Sequence, residues 1–405
     1  MKPIINRLDD DTVQLPHAVS LGTGLWQMRN APVPATQKAI ITPQMKSTLN
    51  QELNAIPVQD PGLGEVLVRI LYSGICRSDA SFSIGPLPGY PKHNHIAGHE
   101  GIGHVVKSHY PALVGRVYGL RYLGSSCGHC TYCLRGLVTS CPSQMNIPKQ
   151  IPGTFQQYVT VPTNCLIPIP EPLLGDDMDW ALYTSALCSG STALTSLRAA
   201  NLNPGDVVIV VGIAGAIGHL TGAIAKHVLK SRVIGIDFQS KIEALAENKD
   251  DYADILLSAA DTTDDNTWEE LHARLLESCE KLRGGQGLSR MAEAVVVTSS
   301  SFAAFQHLEE YVCDGGRIVC VGVPKGLNML QIPLHAIVER NLFVTGNLMG
   351  GQQEVLQVME YIRSGWIKPK ITKIGMEEIP VWMQNLVDCR TVGKVVAMIN
   401  GLVGS

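Results

Sequence analysis

The sequence predicts an α/β protein in which a doubly wound parallel sheet is joined to a second, mostly β domain. Three observations carry this. The apolar run Val207–Val211 is followed by a glycine-rich turn, a helical spacing and a second apolar strand over 232–237, which is the order of a βαβ unit. A run apolar at every position suits a strand buried on both faces. Between about residues 40 and 105 the pattern is β-like instead, with 64–70 alternating in strand fashion.

The 405 residues suit two domains or three, and 45% apolar against 17% charged residues excludes a disordered chain. A formal net charge of −4 argues against a generic nucleic-acid binder. The 5% of aromatic residues argues against stacking on single strands. Gly and Pro, at 39 and 23 residues, suit a turn-rich α/β protein better than a helical bundle. No run is apolar for the length of a membrane span. The opening segment, MKPIINRLDDDTVQLPH, lacks an apolar signal core, and its aspartates disfavour an import peptide, so a cytoplasmic location is expected.

Along the chain, residues 1–35 show no sustained periodicity and read as an extension. Short strands such as 155–161 follow in a loop-rich stretch from 110 to 170. Helical spacing runs over 191–202, ahead of the strand Val207–Val211. A helix over 220–229 and the strand at 232–237 follow. Further alternation places strands at 294–298, 317–321 and 342–346 and a helix at 302–312. The last part, a helix over 354–363 and a strand over 393–399, is placed to rejoin the first domain.

Eleven cysteines, an odd number, fit poorly with a pure disulfide framework. Four of them, Cys127, Cys130, Cys133 and Cys141, have the spacing of a closed tetrahedral zinc site, in which four thiolates leave no free position. An iron–sulfur cluster uses similar spacing. Cys76, His99 and Cys188 are dispersed, yet two cysteines and a histidine are the ligand set of an open zinc site. His93 and His95 compete for the histidine role, and His99 is preferred because Glu100 follows it. Gly212, Gly215, Ala216, Ile217 and Gly218 follow the buried strand, where glycines let a pyrophosphate approach the helix N-terminus. Asp237 closes the next strand, where it suits a ribose diol and repels a 2′-phosphate, favouring NAD over NADP.

Taken together, GICRSD, AGHEGIGHVV, CGHCTYCLRGLVTSC, GTFQQYV, SALCSGSTAL, the glycine turn with Asp237, and VGKVVAMI resemble the zinc-dependent alcohol dehydrogenases of the medium-chain dehydrogenase/reductase family, with the fungal branch nearest. The resemblance covers residues 36–399. It implies a GroES-like, partly open β-barrel catalytic domain at 1–188, a Rossmann NAD-binding domain at 189–338 and a segment at 339–405 returning to the catalytic domain. It implies two zinc ions per chain, catalytic on Cys76, His99 and Cys188 and structural on Cys127, Cys130, Cys133 and Cys141. Ser78 then receives the alcohol proton, Asp79 orients the zinc histidine and Glu100 stands beside the metal. Arg77 and Lys394 fall on the cofactor pyrophosphate, and Asp237 on its ribose. Lys241, Val321 and Val323 complete the expected cofactor contacts.

The chain departs from its relatives at Ser81, where many carry a histidine, and it lacks the pocket-narrowing tryptophans around Phe82 and Leu87. The stretch between Val106 and Gly115 is short. The expected function is therefore hydride transfer between NAD and a primary or secondary alcohol bulkier than ethanol, in a homodimer or homotetramer with no nucleic-acid or membrane partner. A reductase tailoring a specialised aldehyde or ketone shares this chemistry. A zinc-free enoyl reductase is opposed by the seven intact ligands. A catalytically silent nucleotide-binding protein is opposed by those ligands and Ser78.

Overall fold

A computed structural model of the protein describes residues 32–84, 93–170, 178–259, 265–284, 290–324, 326 and 328–400. Residues 1–31 of the expected extension, and Leu87, lie outside them.

Two sheets organise the chain. The first runs in the order Ile371–Gly375, Lys394–Met398, Glu65–Ile75, Glu100–Ser108, Val117–Arg121, Ile167–Pro168. Tyr158–Pro162 also pairs with Glu65–Ile75. That long central strand shares itself out along its length. Its start pairs with Tyr158–Pro162, its end with Lys394–Met398, and nearly all of it with Glu100–Ser108. A strand with two partners in succession along one edge must coil, which gives the partly open barrel. Ile40, Val66, Val68, Ile70, Leu120 and Phe155 fill it. The C-terminal strands Ile371–Gly375 and Lys394–Met398 extend this sheet beyond Glu65–Ile75.

The second sheet is parallel throughout and runs Ile255–Ala259, Arg232–Phe238, Val207–Val211, Ala292–Val297, Val312–Cys320, Phe343–Gly346. Numbered by appearance, its strands lie 3-2-1-4-5-6, the doubly wound order. Val208 and Val210 face a core shared with the helices Ser189–Ala200, Ala216–Ala223 and Gln352–Arg363. Val207, Ile209 and Val211 face the other core. Both faces of one strand are thus covered, which explains its unbroken apolar run.

Three details differ from the expectations. The helix expected at 220–229 begins earlier, at Ala216, and its end widens into a looser turn at Ile224–Val228. The stretch 302–312 is two tight turns, Phe302–Phe305 and Leu308–Tyr311, with His307 between them at φ 54°. Its buried residues Phe305, Leu308 and Tyr311 recur every third position, which matches a three-residue turn rather than 3.6. The sixth parallel strand, Phe343–Gly346, lies past the boundary expected at residue 338. Among the described residues no helix is long and apolar enough to cross a membrane.

Candidate active site and metal centres

Cys76, His99, Glu100 and Cys188 come from three separate places and meet in one cluster. Cys76 caps the helix Arg77–Ser83, Glu100 opens the strand Glu100–Ser108 directly after His99, and Cys188 caps Ser189–Ala200. Their ligand atoms all lie within 4.8 Å of one another. His99 Nε2 is 3.4 Å from Cys188 Sγ.

Asp79 sets this geometry. Fully buried, it accepts from His99 Nδ1–H at 2.7 Å and from the Gly98 N–H at 3.0 Å through Oδ1. Its Oδ2 accepts from the Cys76 N–H at 2.9 Å. One carboxylate thus fixes the tautomer of His99 and anchors the Cys76 turn, the arrangement that orients a metal-binding imidazole.

The two thiols titrate as a pair. The hydrogen bond from Cys188 holds Cys76 well below the ordinary thiol range, and donating it raises Cys188, with burial adding to the rise. Burial pulls His99 down, but Asp79 and Cys76 outweigh it and hold the imidazole well above its usual value. A soft divalent cation bound to these groups would displace their protons. The donor set fits such an ion, and Glu100 supplies charge beside it.

Glu100 is also the partner of Lys394. The two contact each other through Oε1 and Nζ, and both side chains are wholly buried. Burial alone would lower the Lys394 ammonium, but Glu100 and the neighbouring Cys76 and Cys188 sulfurs outweigh it and hold its pKa above the ordinary value. Gly74 leaves room for the pair: a Cβ there would meet Glu100 Oε2 at 2.8 Å and Lys394 Cε at 3.0 Å. Lys394, expected on the cofactor pyrophosphate, instead spends its charge on Glu100 in this structure. The reason is its strand register, which points Nζ inward beside the cluster.

The second cluster is Cys127, Cys130, Cys133 and Cys141. Cys127 Sγ lies 3.9 Å from Cys133 Sγ and 3.6 Å from Cys141 Sγ. A tetrahedron with metal–sulfur bonds of about 2.3 Å has edges of roughly 3.8 Å, so the spacing suits a metal, and none of the four forms a disulfide. The His129 and Cys130 N–H groups draw the Cys127 thiol down to about 6.

The glycine turn lies at the carboxyl end of Val207–Val211. Gly212 sits at φ 87°, where a Cβ would strike the Ser299 backbone at 2.9 Å. A Cβ on Gly218 would stand 2.0 Å from Gly212 O, so the helix Ala216–Ala223 can close on the turn only without side chains there. At Gly215 a Cβ would meet only Gly212 O, at 3.3 Å, which leaves that face open to a ligand. Asp237 accepts from Ala214 N–H at 3.0 Å and from Phe238 N–H at 2.9 Å. Lys241 lines an opening beside it with Phe238, Arg390 and Val392. The Gly393 N–H donates to Ala214 O at 2.8 Å. The backbone one residue before Lys394 therefore ties the turn to the strand that carries Glu100's partner.

Ser78 is exposed one residue before Asp79, Arg77 is half-buried beside it, and Ser81 is exposed on the same short helix. Val321 is partly buried just past the strand Val312–Cys320, whereas Val323, two residues on, is exposed. His95 Nδ1–H donates to Thr42 O, 2.6 Å away, and His93 meets the Tyr122 hydroxyl at 3.4 Å; neither joins the cluster. Sequence reasoning overlooked Tyr122, whose ring lies 6.0 Å from His99, edge to face. Burial raises its phenol, so it stays protonated. Its one sequence signal is its position just ahead of the cysteine lobe.

A doubly wound parallel domain facing a partly open barrel, with a Cys–His–Cys cluster between them, defines a two-domain oxidoreductase. Residues 62–171 match the alcohol dehydrogenase GroES-like domain. Alcohol dehydrogenase 2 of Emericella nidulans is 30% identical over 377 residues, which cover 90% of this chain and 98% of that protein. An alcohol dehydrogenase of Geobacillus stearothermophilus is 29% identical over 364 residues, covering 89% and 98%. Among solved structures, acetophenone reductase from Geotrichum candidum in complex with NAD has a TM-score of 0.71 at 22% identity, covering 91% of this chain and 98% of that one. The chain belongs to the alcohol dehydrogenases of the medium-chain dehydrogenase/reductase family.

Proposed function

We propose that the protein is a zinc-dependent, NAD(H)-linked alcohol dehydrogenase that interconverts a primary or secondary alcohol, bulkier than ethanol, with its aldehyde or ketone. The observation that carries this is the Cys76–His99–Cys188 cluster, joined through Lys394 and Gly393 to the glycine turn. Cys76, His99 and Cys188 would hold a zinc ion that would supply Lewis acidity toward a bound alcohol, and the glycine turn would hold NAD, whose nicotinamide would supply the hydride chemistry.

The chain's own residues orient and move protons. Asp79 keeps His99 in the ligating tautomer. Glu100 and Lys394 place a balanced charge pair behind the site. Ser78 takes the alcohol proton, and Ser81, one helical turn on, stands where water or a cofactor hydroxyl can pass it outward. Cys127, Cys130, Cys133 and Cys141 hold a second zinc that only ties their lobe together. On this reading the catalytic domain is residues 1–188 with the C-terminal return, and the cofactor domain between them reaches the strand at 343–346.

The test is NADH-dependent reduction across a panel of aldehydes and ketones, with zinc quantified in the same preparation. Two zinc ions per chain and clear turnover are expected; turnover with neither cofactor would overturn the reading. Ser78→Ala is expected to cut alcohol oxidation by about 10²-fold or more, the scale of a positioned proton acceptor. Ser81→His is expected to raise oxidation near neutral pH. In wild type, kcat/KM should rise from ethanol to hexanol and benzyl alcohol, because each buried methylene contributes about 0.8 kcal/mol. Ethanol emerging as the best of the three would sink the bulky-substrate reading.

Asp237→Gly removes a diol acceptor and a negative charge together. NADH should weaken and NADPH improve, measured as the ratio of their kcat/KM values. A wild type that prefers NADPH would show that Asp237 is misassigned. The reading also includes a homo-oligomer. The edge strand Phe343–Gly346 is exposed along its whole length, with Leu334 and Val338 exposed nearby. An unpaired edge of that kind calls for cover by a second copy. Light scattering of a monomeric mass would remove this part.

A further inference from the structure

Three rings stand beside the Cys76–His99–Cys188 cluster without belonging to it. Tyr122 meets His99 edge to face at 6.0 Å and 89°, and Phe82 meets it at 5.8 Å and 66°. Phe82 stacks on His93 at 4.0 Å and 15° and lies 5.3 Å from Tyr122 at 24°. The rings therefore form one wall bordering the histidine of the cluster.

This wall is not purely hydrocarbon. The Tyr122 hydroxyl lies 3.4 Å from His93 Nε2, and His93 is only 9% exposed. A phenol offers one donor and acceptor capacity besides, so a single long bond to an imidazole does not saturate it. In a pocket that drives out water, such a hydroxyl discriminates between molecules by whether they bond to it.

Resting on the dehydrogenase reading, we propose that Tyr122, steadied by His93, selects substrates that carry a second oxygen close to the reacting carbon. The class is hydroxy- and oxo-substituted alcohols and carbonyls. Phe82 packs the hydrocarbon between the two oxygens, and Tyr122 bonds the oxygen that does not react. In the reductive direction, hydride from NADH goes to one carbonyl carbon and a proton to its oxygen. The second oxygen is left unchanged.

The experiment compares kcat/KM for acetoin and butanone with NADH in wild type, Tyr122→Phe and His93→Leu. Beside it, calorimetry measures the binding of glycolamide and acetamide, unreactive carbonyl analogues, to each protein with NADH. Wild type should favour acetoin by about tenfold or more, the worth of one good hydrogen bond in a dry site. Tyr122→Phe should bring the ratio near one with zinc content and Tm unchanged, and His93→Leu should lower it partway. The amide pair should follow the same order. A wild-type ratio near one, or a ratio that survives Tyr122→Phe, overturns the proposal. Should neither ketone be reduced while glycolamide still outbinds acetamide through Tyr122, the dehydrogenase reading fails and the oxygen-selecting wall stands.

Discussion

Cys188→Ala is expected to abolish turnover while the fold survives. Cys188 caps the helix Ser189–Ala200 and is buried within 4.8 Å of the other cluster atoms. On the proposed reading, removing its sulfur leaves Cys76 and His99 as two protein ligands, too few to retain an ion against dilution. Charge stabilisation of several kcal/mol goes with it, so kcat/KM should fall about a thousandfold or more. Elemental analysis should read one zinc per chain instead of two, since the Cys127 lobe is untouched. Circular dichroism and Tm should change little, because the replacement is small and apolar. Retained activity with both ions present would remove Cys188 from the ligand set. Cys130→Ala should separate the two sites: it too loses one ion, but through unravelling of the loop and a lowered Tm, because a closed site contributes to folding.

Lys394→Met should produce the largest loss of stability. Lys394 and Glu100 are both wholly buried, and the lysine is an apolar-sized stem ending in a paired charge. Methionine fills most of the volume but strands the Glu100 carboxylate in the dry interior. Breaking one side of a buried pair costs about 3–5 kcal/mol. In a chain of this size that corresponds to a fall in Tm of about 5 °C. Adding Glu100→Gln to Lys394→Met should recover much of the loss, since the uncompensated charge is gone. A single mutant as stable as wild type would show that the pair carries no charge in the folded protein. The double mutant should still bind less zinc, because Glu100 no longer contributes negative charge beside the cluster.

The two cysteine-containing clusters were legible to different degrees for a physical reason. Cys127, Cys130, Cys133 and Cys141 are neighbours in sequence, so their spacing alone constrains where the sulfurs go. Cys76, His99 and Cys188 meet only because a helix cap, a strand start and an interdomain helix converge, and no local pattern encodes that. Only the order of surrounding motifs, matched to a family, pointed to them. The apolar run at Val207–Val211 announced the parallel sheet, because burial on both faces leaves a signature in every residue. The turns after Phe302 were misread as a helix because apolar residues spaced by three and by 3.6 differ little over ten positions. The Lys394–Glu100 pair was invisible, as its partners are 294 residues apart. Tyr122 went unseen for a similar reason: its meaning lies in His93 and Phe82, which reach it from another loop and helix.

The strand Lys394–Met398 lies beside Glu65–Ile75 in the barrel, yet the whole parallel sheet is encoded between them. During synthesis the cofactor domain therefore has all six of its strands before the barrel has its closing one. Domains generally fold as units while the chain emerges, so here the inner domain should mature first. The ends of the barrel, waiting open, would then be brought together by an already folded body. The Cys76–His99–Cys188 cluster gains its Lys394 neighbour only at this last step. The charge pair behind the cluster is therefore completed only near the end of biogenesis.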